Sequence, residues 1–205
     1  MPENIMDGFK NKFIYYLFKI IFTVSYKILF RNEVKGEHNI PESGGLIIAS
    51  NHLSYLDPPL IGISMKRQAY FMAKDSLFKN PLIGWFVRSF SIPVDRESPK
   101  PSTIKEAVKL LKDGKVLVLF PEGGRSKDGD IGGGKRGVAM IAAMSKAPVV
   151  PALIEGTDRA LPKGATFLRP AKVRITFGPP MEIKTDESTR DYQHRLTEEI
   201  MERIR

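Results

Sequence analysis

The sequence predicts an α/β fold: a single domain with a mixed, largely parallel sheet flanked by helices, preceded by an N-terminal amphipathic helical segment. Three observations predict it. From Val34 onward, short apolar runs alternate with stretches of helical periodicity, the pattern of α/β proteins. The chain has 205 residues, 42% of them hydrophobic, which suffices for one well-buried domain and is short for two. The first thirty residues differ in composition, because five of the 12 Phe and three of the 6 Tyr fall between Phe9 and Phe30. The expected division is therefore residues 1–31 and residues 32–205.

The first segment raises the question of a membrane. As a helix, Phe13 to Phe30 would be about 27 Å long, close to the roughly 30 Å of a hydrocarbon core. Lys19 and Lys27 argue against a spanning helix, since a lysine near a bilayer centre costs about 2.5 to 3.5 kcal/mol. At 100° per residue, Lys12, Tyr16, Lys19, Thr23, Tyr26 and Lys27 share one face, and Phe13, Ile14, Leu17, Phe18, Ile20, Ile21, Val24 and Ile28 fill the other. The pattern predicts a helix lying in the membrane interface with a basic stripe toward the headgroups. The competing reading is a helix packed on its own domain. A signal peptide is disfavoured, because lysines interrupt the apolar run and no small-residue cleavage site follows.

In the second segment, Leu46–Ala49, Ala69–Met72, Ser91–Val94, Val116–Phe120, Val149–Ile154 and Val173–Phe177 read as buried strands. Ser76–Arg88, Thr103–Lys112, Arg136–Ser145 and Thr189–Ile204 read as helices, the second opened by a capping box of Thr103 and Glu106 and ended at Gly114. Residues 125–137 are rich in Gly, Lys and Asp without apolar periodicity, and predict a long loop over the strand ends.

Composition narrows the chemistry. There is no cysteine, so disulfides and thiolate nucleophiles are excluded and a cytoplasm-facing location is favoured. A net charge of +9 fits nucleic acid, an anionic membrane surface or an anionic substrate, and also a merely solvated basic surface. No nucleic-acid-binding motif is present, so no nucleic acid is expected. The three histidines have no metal-ligand spacing, and there is no Gly-x-Ser-x-Gly elbow. Residues 129–136 approach a nucleotide-binding phosphate loop, but Arg136 stands where a magnesium-holding Ser or Thr is required.

The residues able to carry chemistry lie after strands. The run from Leu46 leads into Asn51-His52-Leu53-Ser54-Tyr55-Leu56-Asp57, and Pro58-Pro59 favours a helix start. An imidazole can take a hydroxyl proton, and a carboxylate can fix its tautomer, so His52 and Asp57 form a candidate pair with HX4D spacing. A buried histidine beside a helix-capping aspartate is the alternative. After Val116–Phe120 comes Pro121-Glu122-Gly123-Gly124-Arg125-Ser126, where paired glycines let amides approach an anion and Arg125 offers a forked donor. Ile92-Pro93-Val94-Asp95-Arg96 delivers a second arginine, although either arginine could form a structural ion pair.

With these blocks in order, and Val150-Pro151-Ala152 as a fourth, the sequence resembles the glycerolipid acyltransferases, the family that includes bacterial 1-acyl-sn-glycerol-3-phosphate acyltransferases. The resemblance covers roughly residues 34 to 180. It departs at Gly124, where the family usually has threonine, at Phe90-Ser91, which replaces a glycine-containing start, and at Gly132-Gly133-Gly134, where an aromatic residue usually precedes the lysine.

The resemblance implies an enzyme that moves a fatty acyl group from acyl-CoA or acyl-carrier protein to the 2-hydroxyl of lysophosphatidic acid, giving phosphatidic acid in phospholipid biosynthesis. His52 is then the base and Asp57 its orienting partner. Arg96, Glu122, Gly123 and Arg125 bind the acceptor, with no cofactor and no metal. The implied location is the cytoplasmic face of the cell membrane, peripheral or monotopic. The alternatives are a family member with another lysophospholipid or glycerol-phosphate acceptor, and a non-catalytic basic protein that binds lipid or nucleic acid.

Overall fold

The structure, a computed structural model, describes residues 12–79, 84, 87, 90–94, 100–126, 129–183 and 189–205, with side chains from Tyr15 onward. Its strands are β1 (Glu33–Lys35), β2 (Leu46–Ser50), β3 (Ala69–Lys74), β4 (Ser91–Val94), β5 (Val116–Leu119), β6 (Val149–Glu155) and β7 (Arg174–Phe177). They form one sheet in the order β1-β7-β6-β2-β5-β3-β4. Neighbours are parallel except β6 and β7, so the sheet is mixed and mostly parallel, as expected.

A parallel sheet needs crossovers, and these cover both faces with helices. On one face, α4 (Pro101–Lys112), α5 (Gly137–Ser145) and α7 (Arg190–Ile204) pack over Ile47, Ala49, Leu117 and Leu119. On the other, α1 (Lys12–Phe30) and α2 (Asp57–Ile63) pack over Leu46, Ile48, Val116 and Val118. Alternate residues of β2 thus serve opposite cores, and all five are fully buried. That explains its unbroken apolar run. Truncating Ile48 to alanine would cost about 2–5 kcal/mol.

Several elements differ from the sequence expectation. β1 was not expected; three residues beside charged neighbours carry too little alternation to signal a strand. Helix α4 opens at Pro101 after Lys100 and not at a Thr103 capping box, because proline at the first helical position already supplies the required φ. Thr103 is instead buried inside the helix. Most of the helix expected over 76–88 lies outside the described residues, which show a short α3 (Asp75–Phe78) there. Thr189 does cap α7, accepting from the Tyr192 amide. Residues 129–136 are without helix or strand, as read from composition.

Helix α1 is oriented differently from its expected pose. Tyr26 and Phe30 are buried in the core beneath it, and the Tyr26 hydroxyl donates to the Leu56 carbonyl at 2.6 Å. Lys19 donates its ammonium to the Met65 carbonyl. Part of the expected polar stripe therefore faces the protein, where burial holds the Lys19 pKa down and pushes that of Tyr26 up, the Asp57 charge adding to the latter. Leu17, Ile20, Ile21, Val24 and Ile28 form an exposed aliphatic stripe on the other side. Packing on the domain and an apolar outer face coexist. No helix among the described residues is long and apolar enough to cross a membrane.

Candidate active site

Three adjacent parallel strands, β6, β2 and β5, deliver their C-terminal loops to one rim of the sheet. Such a rim is where open α/β sheets place ligands. The loop after β2 is secured first by Asn51, whose side-chain amide donates to the Ile154 carbonyl at 2.8 Å and accepts from its amide at 2.7 Å. This side chain continues the ladder to β6 where the β2 backbone turns away.

The next residue is His52. Its Nδ1 lies 2.7 Å from Asp57 Oδ2. The same oxygen accepts from the amides of Leu53 at 2.7 Å and Ser54 at 2.8 Å, while Oδ1 accepts from the Thr157 hydroxyl at 2.6 Å. Asp57 is fully buried, so a charge there would be costly without this set of donors. A carboxylate only accepts; the proton of a neutral imidazole therefore sits on Nδ1 and leaves the Nε2 lone pair free. Among the described residues nothing bonds to Nε2. The ring stacks on Phe120, centroids 4.1 Å apart and planes at 20°, which fixes its second face.

The loop after β5 latches onto the histidine backbone. Glu122 Oε1 accepts from the His52 amide at 3.0 Å, and the Ser126 amide donates to the His52 carbonyl at 2.8 Å. The other Glu122 oxygen accepts from the Gly132 amide at 3.4 Å. Glu122 thus fastens two backbones. Gly123 adopts φ +72°, a left-handed turn conformation that glycine takes without a Cβ penalty, with the Lys135 side chain lying over it. Arg125 lies over the Tyr55 ring, 3.7 Å from its centroid. Within the glycine run Gly134 has a packing reason as well: a Cβ there would meet Met201 and Thr197 of α7 at 2.7 and 2.8 Å.

The structure therefore brings together His52, Asp57, Glu122, Gly123 and Arg125, while Arg96 lies outside the described residues. The sequence reading missed Thr157, the first residue of α6 (Thr157–Ala160), which is 100 residues from the carboxylate it holds and carries no local signal. It also gave no role to Lys135, Phe120 or Tyr55, although the last two stand inside the recognised blocks. Among the described residues no cluster of His, Asp and Glu could hold a metal ion.

A model of the acyltransferase family matches residues 31–155, more than half of the chain. The chain belongs to the acyltransferase family. Its relatives include the 1-acyl-sn-glycerol-3-phosphate acyltransferase of Bacillus subtilis (strain 168), 36% identical over 84% of this chain and 86% of that protein. A chloroplastic 1-acyl-sn-glycerol-3-phosphate acyltransferase of Brassica napus is 31% identical over 86% of this chain, which spans about half (53%) of that protein. The crystal structure of the 1-acyl-sn-glycerophosphate (LPA) acyltransferase PlsC from Thermotoga maritima shares the fold. Its TM-score is 0.79 at 30% sequence identity, covering 94% of this chain and 78% of that one.

An acyltransferase that acylates a hydroxyl must remove its proton and place it against an activated carbonyl. The rim carries an imidazole nitrogen without a partner among the described residues, together with two cationic side chains, Arg125 and Lys135. Family membership sets aside the non-catalytic alternative.

Proposed function

We propose that this acyltransferase esterifies the 2-hydroxyl of 1-acyl-sn-glycerol 3-phosphate with a fatty acyl group from acyl-CoA or acyl-carrier protein, giving phosphatidic acid. The observation that carries the proposal is the buried His52–Asp57 pair, with Nε2 unpartnered on the rim that also holds Arg125. The names of the relatives support the choice of acceptor.

In the proposed step, His52 Nε2 takes the proton of the acceptor hydroxyl as its oxygen attacks the thioester carbonyl. The C–O bond forms, the C–S bond breaks, and the thiolate leaves with the proton held by the imidazolium. Asp57 fixes the tautomer and stabilises the transient cation. Arg125 and Arg96 bind the acceptor phosphate, Gly123 shapes the turn that leads to Arg125, and Glu122 acts by holding the His52 backbone. No cofactor enters the step. Purified protein supplied with labelled acyl donor should acylate lysophosphatidic acid in preference to glycerol 3-phosphate and other lysophospholipids. A preference for one of the others would keep the family chemistry and change the acceptor; no transfer to any would overturn the mechanism.

We further infer that residues 1–31 rest on the cytoplasmic face of the membrane as a peripheral or monotopic contact. The aliphatic stripe of α1 supports this reading, with exposed Lys27 beside it. A second apolar group strengthens it: Phe167 is 80% exposed and Leu168 adjoins it, on a basic loop with Lys163 and Arg169. This loop starts at Leu161, whose carbonyl accepts from the Ser54 hydroxyl, and ends at Val173, whose amide donates to the Phe30 carbonyl. It therefore connects the active-site rim to the end of α1. An acceptor that resides in the bilayer is met there without moving its chain into water, avoiding about 0.8 kcal/mol per CH₂.

A further inference from the structure

Arg125 has an unusual environment for a rim arginine. Among the described residues its guanidinium has no carboxylate partner and makes no hydrogen bond. Its flat face is covered by the ring of Tyr55, at 3.7 Å. Tyr55 is itself 60% exposed, so packing in the core does not explain an aromatic side chain at that position. It sits in the turn between His52 and Asp57, and the Ser126 amide ties the neighbouring arginine loop to the His52 carbonyl.

We propose that Tyr55 is a positioning residue that sets the headgroup preference of the enzyme, holding Arg125 by its face so that its N–H edges are presented to the phosphate of the acceptor. The proposal rests on the reading that Arg125 binds that phosphate. A cation over an aromatic ring is attracted to its negative face, and this contact consumes none of the five in-plane N–H donors. Those donors are the ones that grip a phosphate as a fork. An arginine free to sample its rotamers would pay that ordering cost on every binding event; a ring already beneath it reduces the cost. Because Tyr55 shares a turn with His52 and Asp57, the arginine of the neighbouring loop is braced on the loop that carries the base. The distance from the phosphate-binding group to the base is then set by the protein.

The test compares Tyr55→Phe, Tyr55→Leu, Arg125→Ala and the double variant Tyr55→Leu/Arg125→Ala. Acceptors are 1-acylglycerol 3-phosphate and 1-acylglycerol of the same chain length, with donor saturating. Tyr55→Leu should raise KM for the phosphorylated acceptor by about 2- to 30-fold, the span of cation–π strengths from exposed to desolvated sites. Its kcat should change less, and the preference for the phosphorylated acceptor should fall by the same factor as KM rises. Tyr55→Phe, which keeps the ring face, should restore the KM. Tyr55→Leu should add nothing in the Arg125→Ala background, since contacting residues are not additive. Tyr55→Phe being as damaging as Tyr55→Leu would assign the effect to the hydroxyl and overturn the proposal. Additive effects of the two substitutions, or equal effects on both acceptors, would overturn it as well. If Arg125→Ala leaves the KM of the phosphorylated acceptor unchanged, the phosphate reading fails first and takes its corollary with it.

Discussion

The outer face of α1 and the floor of the active site depart from the usual placement of side chains in opposite directions. On α1, five aliphatic residues from Leu17 to Ile28 point away from the protein. At the active site, Asn51, His52, Ser54, Asp57 and Thr157 are buried. Apart from His52 Nε2, the polar group is satisfied internally, with four donors on Asp57 and a reciprocal pair on Asn51. The aliphatic stripe has no covering element among the described residues. A satisfied polar cluster costs little stability and gains a fixed geometry, whereas an unsatisfied apolar face marks a contact still to be made. The first is held within the described chain; the second is the feature on which the proposed membrane contact rests.

The largest effect expected separates the two regions directly. His52→Ala should lower kcat by about 10²- to 10⁴-fold, the usual contribution of a general base. Asp57 keeps three of its donors in that variant, so the fold should survive, and vesicle binding should be that of the unaltered protein. Asp57→Asn should be similarly impaired, because an amide can offer the imidazole a donor and lose the required tautomer. Near-normal turnover of His52→Ala in protein with a native circular dichroism spectrum would remove the proposed base.

Next in size is the opposite perturbation. Replacing Ile20, Val24 and Ile28 by serine should cost roughly 1 kcal/mol apiece in transfer to the interface, since part of each residue is already covered by the protein. Vesicle affinity should then fall by about 10²-fold, with turnover on a soluble short-chain acceptor retained. Sedimentation with liposomes measures the first, and an assay without lipid measures the second. Deleting residues 1–31 would be less informative, because it would also uncover the core beneath Tyr26 and Phe30. Equal pelleting of the triple variant and the unaltered protein would leave the stripe without a role.

A smaller effect is expected where the two regions meet. Thr157→Val removes a donor from the buried Asp57, and Tyr26→Phe leaves the Leu56 carbonyl without its hydroxyl partner. Each should lower stability by about 1–3 kcal/mol, read from urea unfolding. Only Thr157→Val should also lower kcat, because Tyr26 meets the active-site loop through a carbonyl and not through the carboxylate. A matching loss of kcat in Tyr26→Phe would show that α1 braces the base as well as the fold.

These contrasts also explain what was legible in the sequence. The central strands β2 and β5 could be read because each buries both faces and leaves an apolar run, as at Val116–Leu119. The HX4D block and the Pro121–Ser126 block could be read because each lies within a few residues of chain. Thr157 could not, since only the pairing of β2 with β6 brings it to Asp57. For α1 the periodicity was legible and its rotation was not: a stripe pattern marks two faces but does not say which one meets the protein. Lys19 and Tyr26 lie on the inner side because the body of each side chain is apolar and their tips found the Met65 and Leu56 carbonyls. The role of Glu122 was hidden for a similar reason. The family resemblance implied a group facing the acceptor, and the partners seen here are the His52 amide on the neighbouring loop and the Gly132 amide on its own.

The smallest expected effect belongs to a site that resembles neither region, the exposed end of the sheet at Glu33. Its carboxylate meets Arg174 Nε at 3.1 Å and the Lys172 ammonium at 3.3 Å, and hydrogen bonds from Arg174 and Lys172 hold its pKa down to about 2. A carboxyl whose folded pKa is depressed adds stability above its unfolded value. That contribution is lost as the pH falls from the ordinary carboxylate range near 4.5 through about 2. Glu33→Gln should therefore leave stability at neutral pH only slightly lower, and flatten the acid limb of the stability profile between those two pH values. The effect should shrink in high salt, because the group is solvent-accessible and its charges are screened. Urea unfolding of both proteins across that pH interval, at low and high salt, reads it directly. Parallel acid limbs for Glu33→Gln and the unaltered protein would show that the pairing joining β1 to β7 is held by its backbone ladder alone.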